Sequence, residues 1–161
     1  MNLIVKLLFL ALSLTPAMTL LTWDGGVAWP LFGGITLLFD LNPVSGFFLL
    51  LLALGAPLVA LPMLRGPRDE PAYALYALLL LGMQLLLLAG DFIGFFVGWE
   101  IMTWSSYLLL LRSPRTNLEG AQSYILFNLA SAFLLEDWFV QAAKALLGRG
   151  AFLESVLGVQ P

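Results

Sequence analysis

The chain has 161 residues, 61% of them hydrophobic and only 11% charged, with a net charge of −3 and a mean hydropathy of +0.97. Soluble domains carry about 25% charged residues, so this chain lacks the polar surface that a water-facing exterior needs, and lipid is the expected solvent. The absence of cysteine and histidine excludes disulfides, thiolate metal sites, histidine-ligated haem or zinc and any Ser/His/Asp set, and no basic patch suggests nucleic acid.

A membrane-crossing helix needs about 20 mostly apolar residues. The first apolar run is Leu3–Leu21, with Lys6 near its start and Pro16 inside it. A basic residue, an apolar core and small residues near Ala17 and Thr19 also fit a secretory signal. The near-spanning length of the run favours a retained span. From Trp23 to Phe39 the chain is punctuated by Gly25, Gly26, Pro30, Gly33 and Gly34. This reads as an extramembrane loop with interfacial Trp23 and Trp29, and Ile35–Phe39 fits a short strand or extended segment.

The second span is expected at 43–64, opened by an Asn42 cap and Pro43 in the first helical position. Pro57 and Pro62 should bend or fray it. A short charged loop, 65–71, leads to a third span at 72–89, whose one interior polar residue is Gln84. Gly90-Asp91 separates it from a fourth span at 91–111. A basic loop follows, with Arg112 and Arg115. Thr116 and Glu119 have capping-box spacing and open a fifth span, 119–135, which Glu136-Asp137 should stop.

If five spans alternate, Lys6, Arg65, Arg68, Arg112 and Arg115 fall on one side. Asp24, Asp40, Asp91, Glu136 and Asp137 fall on the other. The positive-inside bias then places the N-terminus in the cytoplasm, in a multi-pass protein of the cytoplasmic (inner) membrane. The expected fold is all-α: a polytopic bundle over 1–137 and a tail over 138–161. In that tail Phe139, Ala142, Ala143, Leu146 and Leu147 recur at helical spacing, with Gln141 and Lys144 off the stripe. An amphipathic helix on the bilayer surface fits, as does a helix packed on a partner subunit.

Glu100 is the focus of the functional reading. It lies nine residues after Asp91, about 14 Å deep at 1.5 Å per residue. An ionised group there costs at least about 2.5–3.5 kcal/mol. Desolvation favours a protonated carboxyl and a nearby cation an ionised one; a group held between the two can take and release protons. Gly90, Gly94 and Gly98 repeat every four residues and leave one helix face bare for close packing. Thr103 and Tyr107 share the side of Glu100, about 150° from the glycines. Tyr124, Asn128 and Ser131 share a face of the fifth span. With Gln84 they are candidates to line a hydrated path to Glu100, although Gln84 and Asn128 equally suit ordinary interhelical hydrogen bonds.

The stretch from Asp91 to Leu109, DFIGFFVGWEIMTWSSYLL, resembles the glutamate-bearing helix of the antiporter-like subunits of respiratory complex I, membrane-bound hydrogenases, formate hydrogenlyases and Mrp-type sodium/proton antiporters. Phe39–Phe48 (FDLNPVSGFF) and Glu119–Asn128 (EGAQSYILFN) are similar to two flanking segments of that family, so the resemblance covers about residues 35–135. The Trp99–Trp104 wording leans toward the hydrogenase-type branch. The resemblance implies that Glu100 is a proton-translocating carboxylate, with Thr103, Tyr107, Gln84, Tyr124 and Asn128 as candidate helpers. It implies no cofactor in this chain and other membrane subunits of a larger complex as partners. Family members are several times longer, and their glutamate works beside a lysine on a later broken helix. Lys6 and Lys144 do not match the family's lysines, and the residues after Leu135 do not resemble it. The expectation is a truncated or split member: a proton- or cation-translocating subunit of a redox-driven complex, itself without a redox site. An Mrp-type antiporter component, and a structural subunit that pumps nothing, are the alternatives.

Overall fold

The computed structural model describes residues 3–23, 25–30, 36–65, 70–112 and 118–157, with side chains described within 6–145 apart from residue 70. The protein is mostly helical, and four of its helices are long and apolar enough to cross a membrane. The elements in order are α1 (Leu3–Ser13), α2 (Thr15–Thr22), β1 (Val27–Pro30), β2 (Thr36–Phe39), α3 (Pro43–Arg65), α4 (Glu70–Leu88), α5 (Phe92–Leu111) and α6 (Leu118–Leu157).

The first apolar run is helical but broken at Leu14. Pro16 has no N–H to offer the Leu12 carbonyl. The Thr15 hydroxyl donates to that carbonyl instead, at 2.8 Å. Leu14 N–H is shared between the Leu10 and Ala11 carbonyls, and Met18 N–H reaches Leu14 O, so the chain direction is kept across the break. Phe9 lies against Tyr73 and Tyr76, with ring centroids 4.7 and 5.7 Å apart. Thr15 and Thr19 meet Gln84 further along. The α1–α2 pair therefore runs parallel to α4 from its first turns to its last.

A two-stranded antiparallel hairpin joins α2 to α3, with Val27 opposite Phe39 and Pro30 opposite Thr36. The expected extended segment is thus half of a hairpin, and the all-α expectation needs this correction. The glycine pairs on either side and Pro30 at its end obscured β1 in the sequence. Ile35, Thr116 and the loop arginines Arg68 and Arg115 lie outside the described residues. The hairpin docks on the α4–α5 turn: Asp40 N–H donates to Leu88 O and Gly90 N–H to Leu38 O, each at 2.7 Å. Asp91 locks this junction. One carboxylate oxygen caps α5 by accepting from Gly94 N–H at 2.7 Å, and the other accepts from Leu38 N–H.

At the start of α3, Asn42 accepts from Ser45 N–H at 2.9 Å, the N-cap expected from the sequence. The helix continues through Pro57 and Pro62 to Arg65 instead of fraying. Buried tyrosine hydroxyls hold its second half, Tyr76 donating to Ala56 O at 2.8 Å and Tyr73 to Met63 O at 3.2 Å. These tyrosines, with Phe9, Ala56, Ala60 and Leu80, form the hydrophobic core. The core sits at the α3–α4 end of the molecule.

Helices α4 and α5 share the most extensive contact, and α6 packs on the far side of α5. The α4–α5 seam passes through two glycines. A Cβ on Gly98 would lie 2.5 Å from Leu86 N, and one on Gly82 would lie 2.6 Å from Met102 N. The last helix runs unbroken from Leu118 to Leu157, past the expected stop at Leu135. Charges such as Glu136 and Asp137 end an apolar span but not a helix, because exposed glutamate is a good helix former and aspartate costs little; both are exposed here.

Candidate functional site

Glu100 lies midway along α5, where it and its neighbours sort into three faces. The first face carries Gly94, Gly98 and Ser105, all buried. Gly98 packs on Leu86 and Gly82 of α4. The second face meets α6. Phe92 stacks on Phe139 with centroids 4.3 Å apart and planes at 10°, and Ser106 Oγ lies 2.6 Å from Tyr124 Oη. Trp99 is two turns from each of Phe92 and Ser106, which places it on the line between them. Thr103 stands beside that line and is 1% exposed.

Glu100 occupies the third face, open to the side of the molecule. Its carboxylate accepts from the Trp104 indole N–H at 3.1 Å. Trp104 in turn meets Tyr107 edge-on at 6.2 Å. Val97, Trp104 and Leu108 on this face are all exposed large apolar residues. Glu100 is thus the one charged side chain between the ends of α3, α4 and α5, and it stands at the border of an uncovered apolar surface.

The six residues singled out from the sequence do not form one cluster. Tyr107 lies on the Glu100 side, in contact with Trp104. Thr103 is turned into the protein. Tyr124 reaches α5 through Ser106, whose hydroxyl also bonds Thr103 O at 2.9 Å. Asn128 donates to Tyr124 O in its own helix at 2.9 Å. Ser131 bonds the Phe127 carbonyl at 2.8 Å. Gln84 belongs elsewhere: its amide bonds Thr15 and Thr19 of α2 at 2.9 and 3.0 Å. It sits two residues from Gly82 on α4, hence about 200° around the helix from the α5 seam. Gln84 is an interhelical tie and does not line a path to Glu100.

The sequence reading missed Trp104 as a partner of Glu100, Ser106 as the bridge to α6, and Gly82 as the counterpart of Gly98. The i,i+4 spacing of Glu100 and Trp104 was a usable signal for the first. A lone glycine in the apolar run of α4 was a weak one for Gly82. Two buried side-chain atoms in α5 make no hydrogen bond within the protein, Trp99 Nε1 and Thr103 Oγ1. Among the described residues no group of three or more Asp and Glu side chains comes together in a way that could hold a metal ion. Chemically, the arrangement offers a carboxyl that can exchange a proton, with hydroxyls on the buried side of the same helix. The chain matches no protein-family model and no curated protein.

Proposed function

We propose that the chain is a proton- or cation-translocating membrane subunit of a larger redox-driven complex, of the complex I or membrane-bound hydrogenase type, in which Glu100 carries the proton. The observation that carries this reading is one carboxylate placed halfway along an apolar helix, at the border of an exposed apolar face. Intramembrane carboxylates are costly and are kept for function. The resemblance of Asp91–Leu109 to the glutamate helix of antiporter-like subunits supports the same reading, as do the matching stretches Phe39–Phe48 and Glu119–Asn128. Electron transfer belongs to other subunits.

In this reading the broken α1–α2 pair is a first crossing. Its residues 3–22 extend about 30 Å at 1.5 Å per residue, the thickness of the hydrocarbon core. Five crossings put Lys6, Arg65 and Arg112 on the cytoplasmic side and the hairpin with Asp40 and Asp91 on the other. The open face of Glu100, Trp104 and Leu108 is covered by another membrane subunit, because a carboxylate bordering lipid is expensive.

Proton uptake by vesicles holding the native complex, purified through a tag on this chain, tests the proposal. Glu100→Gln, similar in shape but unable to exchange a proton, is expected to abolish most uptake while the complex still assembles. Glu100→Asp is expected to keep part of it. Full uptake by the Gln variant would leave the chain a structural subunit.

A further inference from the structure

Hydroxyl groups inside apolar helices usually bond a carbonyl of the preceding turn. Ser13, Thr15, Thr19, Thr22, Ser105, Ser106 and Ser131 all do so here, at 2.6–2.9 Å. Thr103, which is buried, does not. It is 1% exposed, yet its hydroxyl bonds neither its own helix nor α6. The indole N–H of Trp99, one turn earlier on the same side, is also buried and unbonded. A buried donor left unsatisfied costs about 1–3 kcal/mol, so two of them one helical turn apart on α5 call for a polar partner there.

The opposite wall is set by the helix register. Phe92 meets Phe139 and Ser106 meets Tyr124, so α5 and α6 run antiparallel in step. That step puts Ala132 opposite Trp99 and Asn128 opposite Thr103. Ala132 is buried and small enough to accept the indole beside it. Asn128 spends its amide N–H on Tyr124 O, which leaves its amide oxygen to accept at the level of Thr103. A donor, a hydroxyl that gives and takes, and an acceptor are what a buried water requires.

We propose that Trp99, Thr103 and Asn128 hold a water molecule between α5 and α6, and that this water joins Glu100 to the Ser106–Tyr124 hydroxyl pair as the inner branch of its proton path. The second half rests on the proton-carrying role of Glu100; the water site stands without it. Thr103 lies three residues after Glu100 and three before Ser106, neighbouring positions on a helix. The Ser106 hydroxyl bonds the Thr103 carbonyl at 2.9 Å and meets Tyr124 Oη at 2.6 Å. The Thr103 carbonyl cannot release a proton, so the relay requires the Ser106 hydroxyl to turn from that carbonyl to the water; water and the hydroxyls of Ser106 and Tyr124 then each accept one proton and release another, with no change in composition at any link.

The site is tested on the full chain in lipid nanodiscs with 15N-labelled tryptophan. The Trp99 indole signal, assigned by its loss in Trp99→Phe, is expected to show magnetisation transfer from bound water. Thr103→Val should remove that transfer and keep the indole signal. An indole with no bound-water contact, or one that Thr103→Val leaves unchanged, would overturn the site. The path is tested by proton uptake with the native complex. Losing one relay hydrogen bond is expected to slow uptake about tenfold in Thr103→Val, with Thr103→Ser restoring it and Tyr124→Phe slowing it likewise. Full uptake in Thr103→Val, together with loss in Glu100→Gln, would reject this branch and leave Glu100 as the carrier. Full uptake in both would reject the proton-carrying role itself.

Discussion

A methyl group added at Gly98 probes the packing that holds Glu100 in place. Its Cβ would stand 2.5 Å from Leu86 N, 2.9 Å from Leu86 Cα and 3.0 Å from Gly82 O. All three are backbone atoms of α4, so no side chain can swing aside. Ordinary contact begins near 3.4 Å, and the helices would have to part by roughly 0.9 Å. A gap of that size forfeits about a quarter to a half of the dispersion energy of the atoms it separates. Overpacking of this kind costs about 1–3 kcal/mol. Gly98→Ala should fall in the upper half of that range, since α4–α5 is the largest helix contact. Gly82→Ala should behave alike, with its Cβ 2.6 Å from Met102 N. Both methyls push the same two helices apart, so the double variant should cost less than the two singles added together. Equilibrium unfolding in lipid or mixed micelles measures this. Gly55→Ala is the control, because its Cβ would meet nothing within 4 Å and alanine favours the helix by about 0.5–1 kcal/mol. A Gly98→Ala protein as stable as the Gly55→Ala protein would refute the seam.

Gln84→Leu should cost under about 2 kcal/mol, the upper range for hydrogen bonds between membrane helices, and leave proton uptake by the native complex at its wild-type rate; a loss of uptake would return Gln84 to the proton path. The chain has no cysteine, so single cysteines label without background. Cysteine at Val27, exposed on β1, and at Ser113 in the α5–α6 connection should react with impermeant reagents from opposite sides of the membrane. Labelling of both from one side would overturn the proposed topology.

Much of the architecture was legible because it rests on local chemistry. Asn42 is an N-cap that announces α3 by residue type, and the bond it accepts is within three residues. The end of α6 was not legible: Glu136-Asp137 carries information about lipid depth and little about helix continuity. The site was only partly readable. Periodicity placed Thr103 about opposite the glycines, and the structure puts Gly98 against α4 and Thr103 on the α6 side. Helical spacing alone does not say which neighbour each face meets. Gln84 and Thr103 therefore looked like equals in one path. They are separated by pairings 65 and 69 residues apart in sequence, which tie Gln84 to Thr19 and Thr15. Such long-range partners depend on how α1–α2 lies along α4, and no window of sequence contains that.

The central claim is that the Glu100 carboxyl exchanges a proton within the membrane, and infrared difference spectroscopy of the working complex reads that exchange directly. Energising the native complex should change the C=O stretch of a protonated carboxyl. The band should shift in heavy water and disappear in Glu100→Gln. A difference spectrum in which Glu100→Gln removes no carboxyl band, recorded from a complex that is turning over and pumping, would contradict the account.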